Sequence, residues 1–186
     1  MGELKTVIFA ERYQIIRPLA QGGFGKTFLA CDHYLPGHPQ CVIKQLFLAN
    51  ASPEILKTAQ RLFHLEAETL YKLGTHPQIP TLLAHFEHSG EFYLVQEYIP
   101  GPSLQQELVQ LVQLKRPAAS SLSERSHYTC TLLQDLLSIL AFVHQQNVIH
   151  RDIKPANLIR RHHQLVLIDF GAVKRLTQPL TQSLTQ

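Results

Sequence analysis

The 186-residue chain has no tryptophan, a single methionine and only three cysteines. Cys31, Cys41 and Cys130 are an odd number without a Cys-x-x-Cys pair, which argues against a disulfide scaffold and suits a reducing compartment. No apolar run approaches the ~18–20 residues that span a bilayer, and the first residues contain no signal-peptide core. The net charge of +3 is spread thinly, so it gives no support for nucleic-acid or membrane binding. These absences predict a cytoplasmic protein with neither nucleic-acid nor membrane partners.

Metal-binding patterns are also missing, although the chain has eleven histidines. Their spacings include no His-Glu-x-x-His motif and no Cys/His quartet. His162-His163 lies between two apolar segments, and we interpret it as an exposed hairpin turn rather than as a ligand pair. What the chain does have is a hydrophobic content of 45%, which is enough for a globular core and argues against disorder.

The first hundred residues predict a five-stranded antiparallel sheet with one long helix. Ser52-Pro53-Glu54 is typical of a helix start, with a capping hydroxyl, a proline at the first helical position and an early acid. Apolar residues then recur with helical periodicity as far as Gly74, which is typical of a helix end. Apolar segments bounded by turn residues predict the strands, near 13–19, 24–31, 41–47, 82–87 and 91–98.

The second half of the chain has a different pattern. Pro100-Gly101-Pro102-Ser103 is a break typical of a hinge, and two helices are predicted after it, from Leu104 to about Leu114 and from about Ser123 to Gln146. Short strands are predicted near 158–160 and 165–168. We therefore predict an α+β protein with two parts, residues 1–99 and residues 100–186.

A glycine-rich turn lies between the first two predicted strands. Gly22, Gly23, Phe24 and Gly25 follow Ala20, which stands where a Gly-x-Gly-x-x-Gly motif would have its first glycine. Glycines let a backbone approach phosphates closely, with N–H groups directed at the anion. The alternative is an ordinary glycine hairpin. The strand that follows excludes a dinucleotide-binding turn, because that motif needs a helix after the glycines.

The segment from His150 to Gly171 carries the strongest signal. It reads His-Arg-Asp-Ile-Lys-Pro-Ala-Asn over 150–157, then an apolar strand, then Asp169-Phe170-Gly171. Asp152 is suited to orient a hydroxyl group and accept its proton, and Asn157 and Asp169 are suited to bind the Mg²⁺ that neutralises a triphosphate. The spacing predicts phosphoryl transfer from a nucleotide.

These motifs resemble the eukaryotic-type serine/threonine protein kinases, in a form close to the bacterial ones. The resemblance implies a nucleotide-binding lobe (N-lobe) over 1–99, a C-lobe from residue 100, ATP and magnesium as cofactors, and a protein substrate. It also implies that Lys154, two residues after the proposed base, steadies the transferred group. Small-molecule phosphotransferases share the His-x-Asp-x-x-x-x-Asn pattern. Arg151, the glycine turn and the Asp-Phe-Gly triplet favour the protein kinases.

The resemblance assigns further roles in the first hundred residues. Lys44 would contact the α- and β-phosphates and would pair with a helix carboxylate, for which Glu66 and Glu68 are the candidates. Glu66 is favoured because Leu70, four residues on, shares its helix face. The backbone from Glu97 to Ile99 would hydrogen-bond adenine, in the way that the family's hinge does.

The chain also departs from the family pattern, because it ends fifteen residues after Gly171. The family's Ala-Pro-Glu segment and later helices are not found, so we expect an incomplete C-lobe. Leu132, Leu136 and Leu140 on the second long helix would then be partly uncovered, and a partner chain could cover them. Three hypotheses remain: a Ser/Thr protein kinase, a non-catalytic nucleotide-binding or interaction module, and an inactive kinase fragment.

Overall fold

A computed structural model describes residues 8–22, 25–47, 52–113 and 122–176. The chain divides into two compact units, one of residues 1–71 and 81–98 and the other of residues 72–80 and 99–186. The α+β class is confirmed, with an antiparallel sheet in the first unit and mainly helices in the second.

The first unit is built on a six-stranded antiparallel sheet with the order β1-β2-β3-β4-β6-β5. Five of its strands were predicted, and β1 adds a sixth. That strand has only two residues, too few for an alternating pattern, and it pairs with β2 through a turn in which Arg12 donates to the carbonyl of Phe9. The strands are β1 (Ile8–Phe9), β2 (Tyr13–Gly22), β3 (Gly25–Asp32), β4 (Gln40–Leu46), β5 (Leu82–His88) and β6 (Glu91–Glu97).

One face of this sheet forms a hydrophobic core. Cys41 and Ile43 point into it from β4, beside buried Tyr13, Tyr93 and Val95. Because strand side chains alternate between faces, Lys44 lies on the opposite face. Helix α1 (Pro53–Leu73) packs there through buried residues that recur at helical spacing, namely Ala59, Phe63, Ala67 and Leu70.

The predicted ends of α1 are confirmed. The Ser52 hydroxyl accepts a hydrogen bond from the N–H of Ile55 at 3.4 Å, and Pro53 is the first helical residue. Gly74 follows the last turn with φ +64°, a conformation that favours glycine.

The segment 72–80 belongs to the second unit, and its polar groups form hydrogen bonds with other residues of that unit. The Lys72 ammonium donates to the carbonyl of Gln146 at 2.7 Å, and the side-chain amide of Gln78 donates to the carbonyl of Leu165 at 3.2 Å. The N–H of Leu167 in turn donates to the carbonyl of Gln78 at 2.9 Å.

The second unit contains helices α2 (Leu104–Gln113) and α3 (Leu122–Gln145). A 3₁₀ turn, Pro155–Asn157, leads into the hairpin of β8 (Leu158–Arg161) and β9 (Gln164–Leu167), and β7 (Val148–Ile149) pairs with β10 (Lys174–Arg175). His162 and His163 form the exposed turn of the β8–β9 hairpin, as predicted.

Helix α3 has a buried side and an exposed side. Ile139 and Val143 are fully buried. Leu132, Leu136 and Leu140 are half-buried. Leu133 and Leu137 are 49% and 62% exposed. No helix in the described part of the chain is long and apolar enough to cross a bilayer.

Candidate active site

In the first unit, Lys44 and Glu66 form an ion pair. Lys44 lies in β4, opposite Thr27 on one neighbouring strand and Leu94 on the other. Its Nζ is 2.5 Å from Oε1 of Glu66, and the two side chains are only 17% and 5% exposed. Of the two candidate acids on α1, Glu66 therefore meets the lysine, while Glu68 is exposed. The result is a half-buried ammonium group held in a fixed place by a buried carboxylate.

The glycine-rich segment joins the ends of β2 and β3. Gly22 and Gly25 are opposite each other in the ladder, while Gly23 and Phe24 lie outside the described residues. A Cβ on Gly25 would collide with the backbone carbonyl of Gln45, whereas a Cβ on Gly22 would meet nothing within 4 Å. The glycine at 25 is thus required by the close approach of β4.

The predicted adenine contacts fall at the end of β6 and just after it. Glu97 is the last residue of β6, and its N–H donates to the carbonyl of Thr81 at 2.9 Å. An adenine contact at Glu97 would therefore have to use its carbonyl oxygen. Ile99 is 3% exposed, and Gln96 is buried in β6 opposite Val42.

In the second unit, the predicted site residues of the loop 152–157 contact one another. The side-chain amide of Asn157 donates to the carbonyl oxygen of Asp152 at 3.0 Å and to its Oδ2 at 2.9 Å. The Lys154 ammonium donates to the same Oδ2 at 2.6 Å. Because both amide protons of Asn157 are directed at Asp152, its amide oxygen is the atom available to a cation.

The β8–β9 hairpin places Asp169 next to this loop. Leu158 pairs with Leu167, and the N–H of Ile168 donates to the carbonyl of Asn157 at 2.9 Å. Asn157 immediately precedes β8 and Asp169 follows shortly after β9, so an antiparallel hairpin brings them to the same edge. Asp169 has φ +66°, a conformation that a non-glycine residue keeps only where its surroundings impose it.

The charges in this loop act on one another. The hydrogen bond from Lys154, assisted by the one from Asn157, holds the pKa of Asp152 below its usual value, while the negative charge of Asp169 opposes that shift. The bond to Asp152 raises the pKa of Lys154. Asp152 is therefore a carboxylate at neutral pH, ready to accept a hydrogen bond.

His150 of the His-Arg-Asp motif contacts both the loop 152–157 and the Asp-Phe-Gly segment. His150 is 1% exposed, accepts the N–H of Asp152 on Nδ1 at 3.3 Å and packs edge-on against the ring of Phe170 at 4.8 Å. Its Nε2 is 3.3 Å from the carbonyl of Ile168, which fits a ring protonated on Nε2. We did not predict this contact, because the sequence separates His150 from Phe170 by twenty residues.

Arg151 also has partners that the sequence did not reveal. Its guanidinium donates to the backbone carbonyls of Ala172 at 2.7 Å and Val173 at 3.4 Å. Its φ of +65° matches the unusual backbone of Asp169. Positive φ at non-glycine residues leaves no signature in the sequence. It marks strain that the fold imposes around the loop.

The residues present fit a magnesium ion. Asn157 offers an amide oxygen and Asp169 a carboxylate, and both are the hard oxygen ligands that Mg²⁺ prefers. Among the described residues, no three His, Cys, Asp or Glu side chains are grouped to hold a metal. One carboxylate and one amide would hold such a cation together with phosphate oxygens and water.

The sheet with its lysine–glutamate pair and the loop with its Asp, Asn and Asp-Phe-Gly residues define a protein kinase domain. The protein kinase domain model matches residues 13–185, and the chain belongs to this family. Serine/threonine-protein kinase B of Synechocystis sp. is 47% identical over 176 residues, which cover 94% of this chain and 29% of that protein. Serine/threonine-protein kinase PknA of Nostoc sp. is 43% identical over 166 residues, which cover 88% of this chain and 28% of that protein.

More distant relatives carry the same kind of name. Serine/threonine-protein kinase PknG of Mycobacterium leprae is 30% identical over 91% of this chain and 21% of its own length. The chain spans less than a third of the length of the cyanobacterial relatives described above. The comparisons thus place the chain among the serine/threonine protein kinases.

Proposed function

We propose that this chain binds MgATP and transfers the γ-phosphoryl group to a serine or threonine hydroxyl of a protein. The observation that carries the proposal is the contact of Asn157 with Asp152, in a loop that the β8–β9 hairpin sets beside Asp169. The relatives named as serine/threonine kinases support the choice of acceptor, and so does Lys154. This chain matches a part of each of these relatives.

The second unit would supply the groups that act on the acceptor. Lys154 and Asn157 both donate to Oδ2 of Asp152, so we assign to Oδ1 the hydrogen bond from the acceptor hydroxyl. The amide oxygen of Asn157 and the carboxylate of Asp169 would hold the cation. The chemistry that MgATP supplies when bound is a transferable phosphoryl group with its charge neutralised.

The first unit would supply the groups that hold the nucleotide. Lys44, fixed by Glu66, would neutralise charge on the α- and β-phosphates. The glycine turn that joins β2 and β3 would let the phosphates approach its backbone closely, and the backbone from Glu97 to Ile99 would face the adenine edge.

Two substitutions test the proposal because they act on different steps. Asp169→Asn removes a carboxylate ligand, so the tightening of ATP binding by Mg²⁺ should be lost. Asp152→Asn keeps the size of the side chain, so ATP binding should persist while transfer to a serine peptide falls by about 10²–10⁴-fold. Isothermal titration with ATP, with and without Mg²⁺, measures the first, and release of labelled phosphate to peptide measures the second.

Glu87→Gln is the control, because Glu87 is an exposed acid on β5 outside these contacts. It should leave both binding and transfer unchanged. If the unaltered chain binds MgATP but transfers nothing, the non-catalytic nucleotide-binding module replaces the kinase proposal. Absence of both binding and transfer would leave the inactive fragment as the remaining hypothesis.

A further inference from the structure

We infer that Asp135 on α3 is a positioning residue for phosphoryl transfer, because it holds the edge of the strand that leads to the proposed cation ligand Asp169. This inference rests on the proposed function. Oδ2 of Asp135 accepts a hydrogen bond from the N–H of Leu165 in β9 at 3.1 Å. All three residues belong to the second unit.

Strand β9 has one edge that pairs with β8 and one outer edge that faces away from it. On the β8 side, the N–H of Ile168 donates to the carbonyl of Asn157 at 2.9 Å. Backbone groups of an antiparallel strand alternate between its two edges, so those of Leu165 and Leu167 lie on the outer edge. Both leucines are fully buried, and their backbone groups therefore need partners within the protein.

Asp135 and Gln78 supply the partners of this outer edge. While Asp135 accepts the N–H of Leu165, the side-chain amide of Gln78 donates to the carbonyl of the same leucine at 3.2 Å. The backbone carbonyl of Gln78 accepts the N–H of Leu167 at 2.9 Å. Two of these three bonds use a side chain of Asp135 or Gln78, so a substitution can remove each of them without altering the backbone of β9.

The strand held in this way leads directly to Asp169. Only Ile168 separates Asp169 from the end of β9, and Asp169 has φ +66°, a conformation that its surroundings must impose. A strand that is bonded along both edges resists sliding and twisting, so the carboxylate of Asp169 keeps its place relative to the amide oxygen of Asn157. Because Mg²⁺ demands near-ideal octahedral geometry, a small displacement of that carboxylate should weaken cation binding.

Asp135→Leu tests the positioning role, because leucine is similar in size and has no hydrogen-bond acceptor. The Mg²⁺ concentration that gives half of the tightening of ATP binding should rise by about threefold to tenfold, less than the roughly 10–100-fold typical of groups that bond directly to a metal ligand. The affinity for ATP without Mg²⁺ should be unchanged. Isothermal titration with ATP at a series of Mg²⁺ concentrations measures both. Partial unfolding would lower the number of binding sites without moving this Mg²⁺ midpoint, so the midpoint separates positioning from a loss of stability.

Three further variants define the cause of the shift. Asp135→Asn keeps an oxygen that can accept the N–H of Leu165, so it should restore the Mg²⁺ midpoint of the unaltered chain. Gln78→Leu removes the amide donor from the same edge and should raise the midpoint as Asp135→Leu does; it carries the test if Asp135→Leu does not fold. Gln134→Leu is the control, because Gln134 is exposed on the same helix, and it should leave the midpoint unchanged.

NMR spectra of the full chain without nucleotide provide a second measurement. In Asp135→Leu, the N–H groups of Leu165 and Leu167 should exchange with deuterium faster, and the N–H resonance of Asp169 should shift or broaden. Asp135→Asn should show neither effect.

The outcomes for this inference and for the proposed function are separable. Faster exchange in β9 with an unmoved Asp169 resonance, an unchanged Mg²⁺ midpoint in Asp135→Leu, or equal midpoint shifts in Asp135→Leu and Asp135→Asn would overturn the inference. If the unaltered chain binds no MgATP, the proposed function fails, and the Asp169 resonance alone decides whether Asp135 positions that residue. A moved Asp169 resonance would then support the positioning of Asp169 by Asp135.

Discussion

Asn157 directs its side-chain amide nitrogen at Asp152 through two hydrogen bonds, 3.0 Å to the backbone carbonyl and 2.9 Å to Oδ2. A primary amide has two N–H donors, and one residue receives both of them. The amide orientation is thereby determined by the contacts, and Asn157 is 5% exposed, so the group cannot turn freely in solvent. This single contact links the proposed base with a proposed cation ligand.

Asn157→Asp should raise the pKa of Asp152. The change removes a donor that favours the charged carboxylate and adds a negative charge beside it, in addition to that of Asp169. The pKa, followed by the ¹³C resonance of the Asp152 carboxyl group during an NMR titration, should move upward. Asn147→Asp is the matched control, because Asn147 contributes to the structure through its backbone carbonyl, which accepts the N–H of Leu176. A lower or unchanged pKa in Asn157→Asp would contradict the contact.

Glu66→Gln should destabilise the first unit, and Glu68→Gln should not. The carboxylate of Glu66 meets a half-buried ammonium at 2.5 Å, and a hydrogen bond between charged groups contributes about 1.5–3 kcal/mol. Glu68 is exposed on the same helix, so its change should stay within about 0.5 kcal/mol. Urea unfolding of both variants measures the difference. Equal losses would show that the Lys44–Glu66 pair contributes nothing specific.

Asp32→Asn should destabilise the chain at neutral pH and less in acid. Asp32 is 2% exposed and binds the guanidinium of Arg12 at 2.8 and 2.6 Å, so loss of its charge should cost about 1–3 kcal/mol. The Arg12 hydrogen bonds hold the pKa of Asp32 below its usual value. This stabilisation is fully present above the unfolded-state pKa of about 3.9 and is lost as the pH falls through the lower folded-state pKa.

The gap in unfolding free energy between Asp32→Asn and the unaltered chain should therefore narrow as the pH falls from 7 to 3, because asparagine does not titrate. Urea titrations at a series of pH values measure it. A gap that stays constant over this range would mean that the ion pair is not the source of the stabilisation.

Gly25→Ala and Gly22→Ala should differ sharply, although both lie at the glycine turn. The added methyl group at 25 collides with the backbone carbonyl of Gln45, and such overpacking typically costs about 1–3 kcal/mol. At 22 nothing lies within 4 Å, so the change should be nearly neutral. Thermal unfolding of the two variants measures the difference in stability. Equal losses at 22 and 25 would mean that the turn tolerates no side chain at either position.

Alanine substitutions in helix α3 should lower the free energy of unfolding on its buried side and leave it nearly unchanged on its exposed side. Ile139 is fully buried, and its replacement by alanine should cost about 2–5 kcal/mol. Leu137, two residues away, is 62% exposed, so Leu137→Ala should change stability by less than about 1 kcal/mol. Chemical denaturation of both variants provides the test. Similar losses would mean that Leu137 is covered in solution.

The sequence predicted the secondary-structure elements better than it predicted the contacts between residues far apart in the chain. The α1 start at Pro53, its end before Gly74 and the His162-His163 turn follow from residues within a few positions of each other, and all agree with the structure. Two-residue strands such as β1 and β7 were missed, since no period can be read from two residues. The burial of Ile139 was missed for another reason, because leucines occur at both the half-buried and the exposed positions of α3.

The sequence alone determined the type of each main element and the side chains present in the loop from Asp152 to Asn157, because spacing, turn residues and side-chain type are local properties. Only the tertiary structure showed that Glu66, the acid favoured from the sequence, does contact Lys44, that Arg151 bonds to Ala172, and that 72–80 belongs to the second unit. Those contacts join residues far apart in the chain, and they depend on strand register and packing that no local pattern contains.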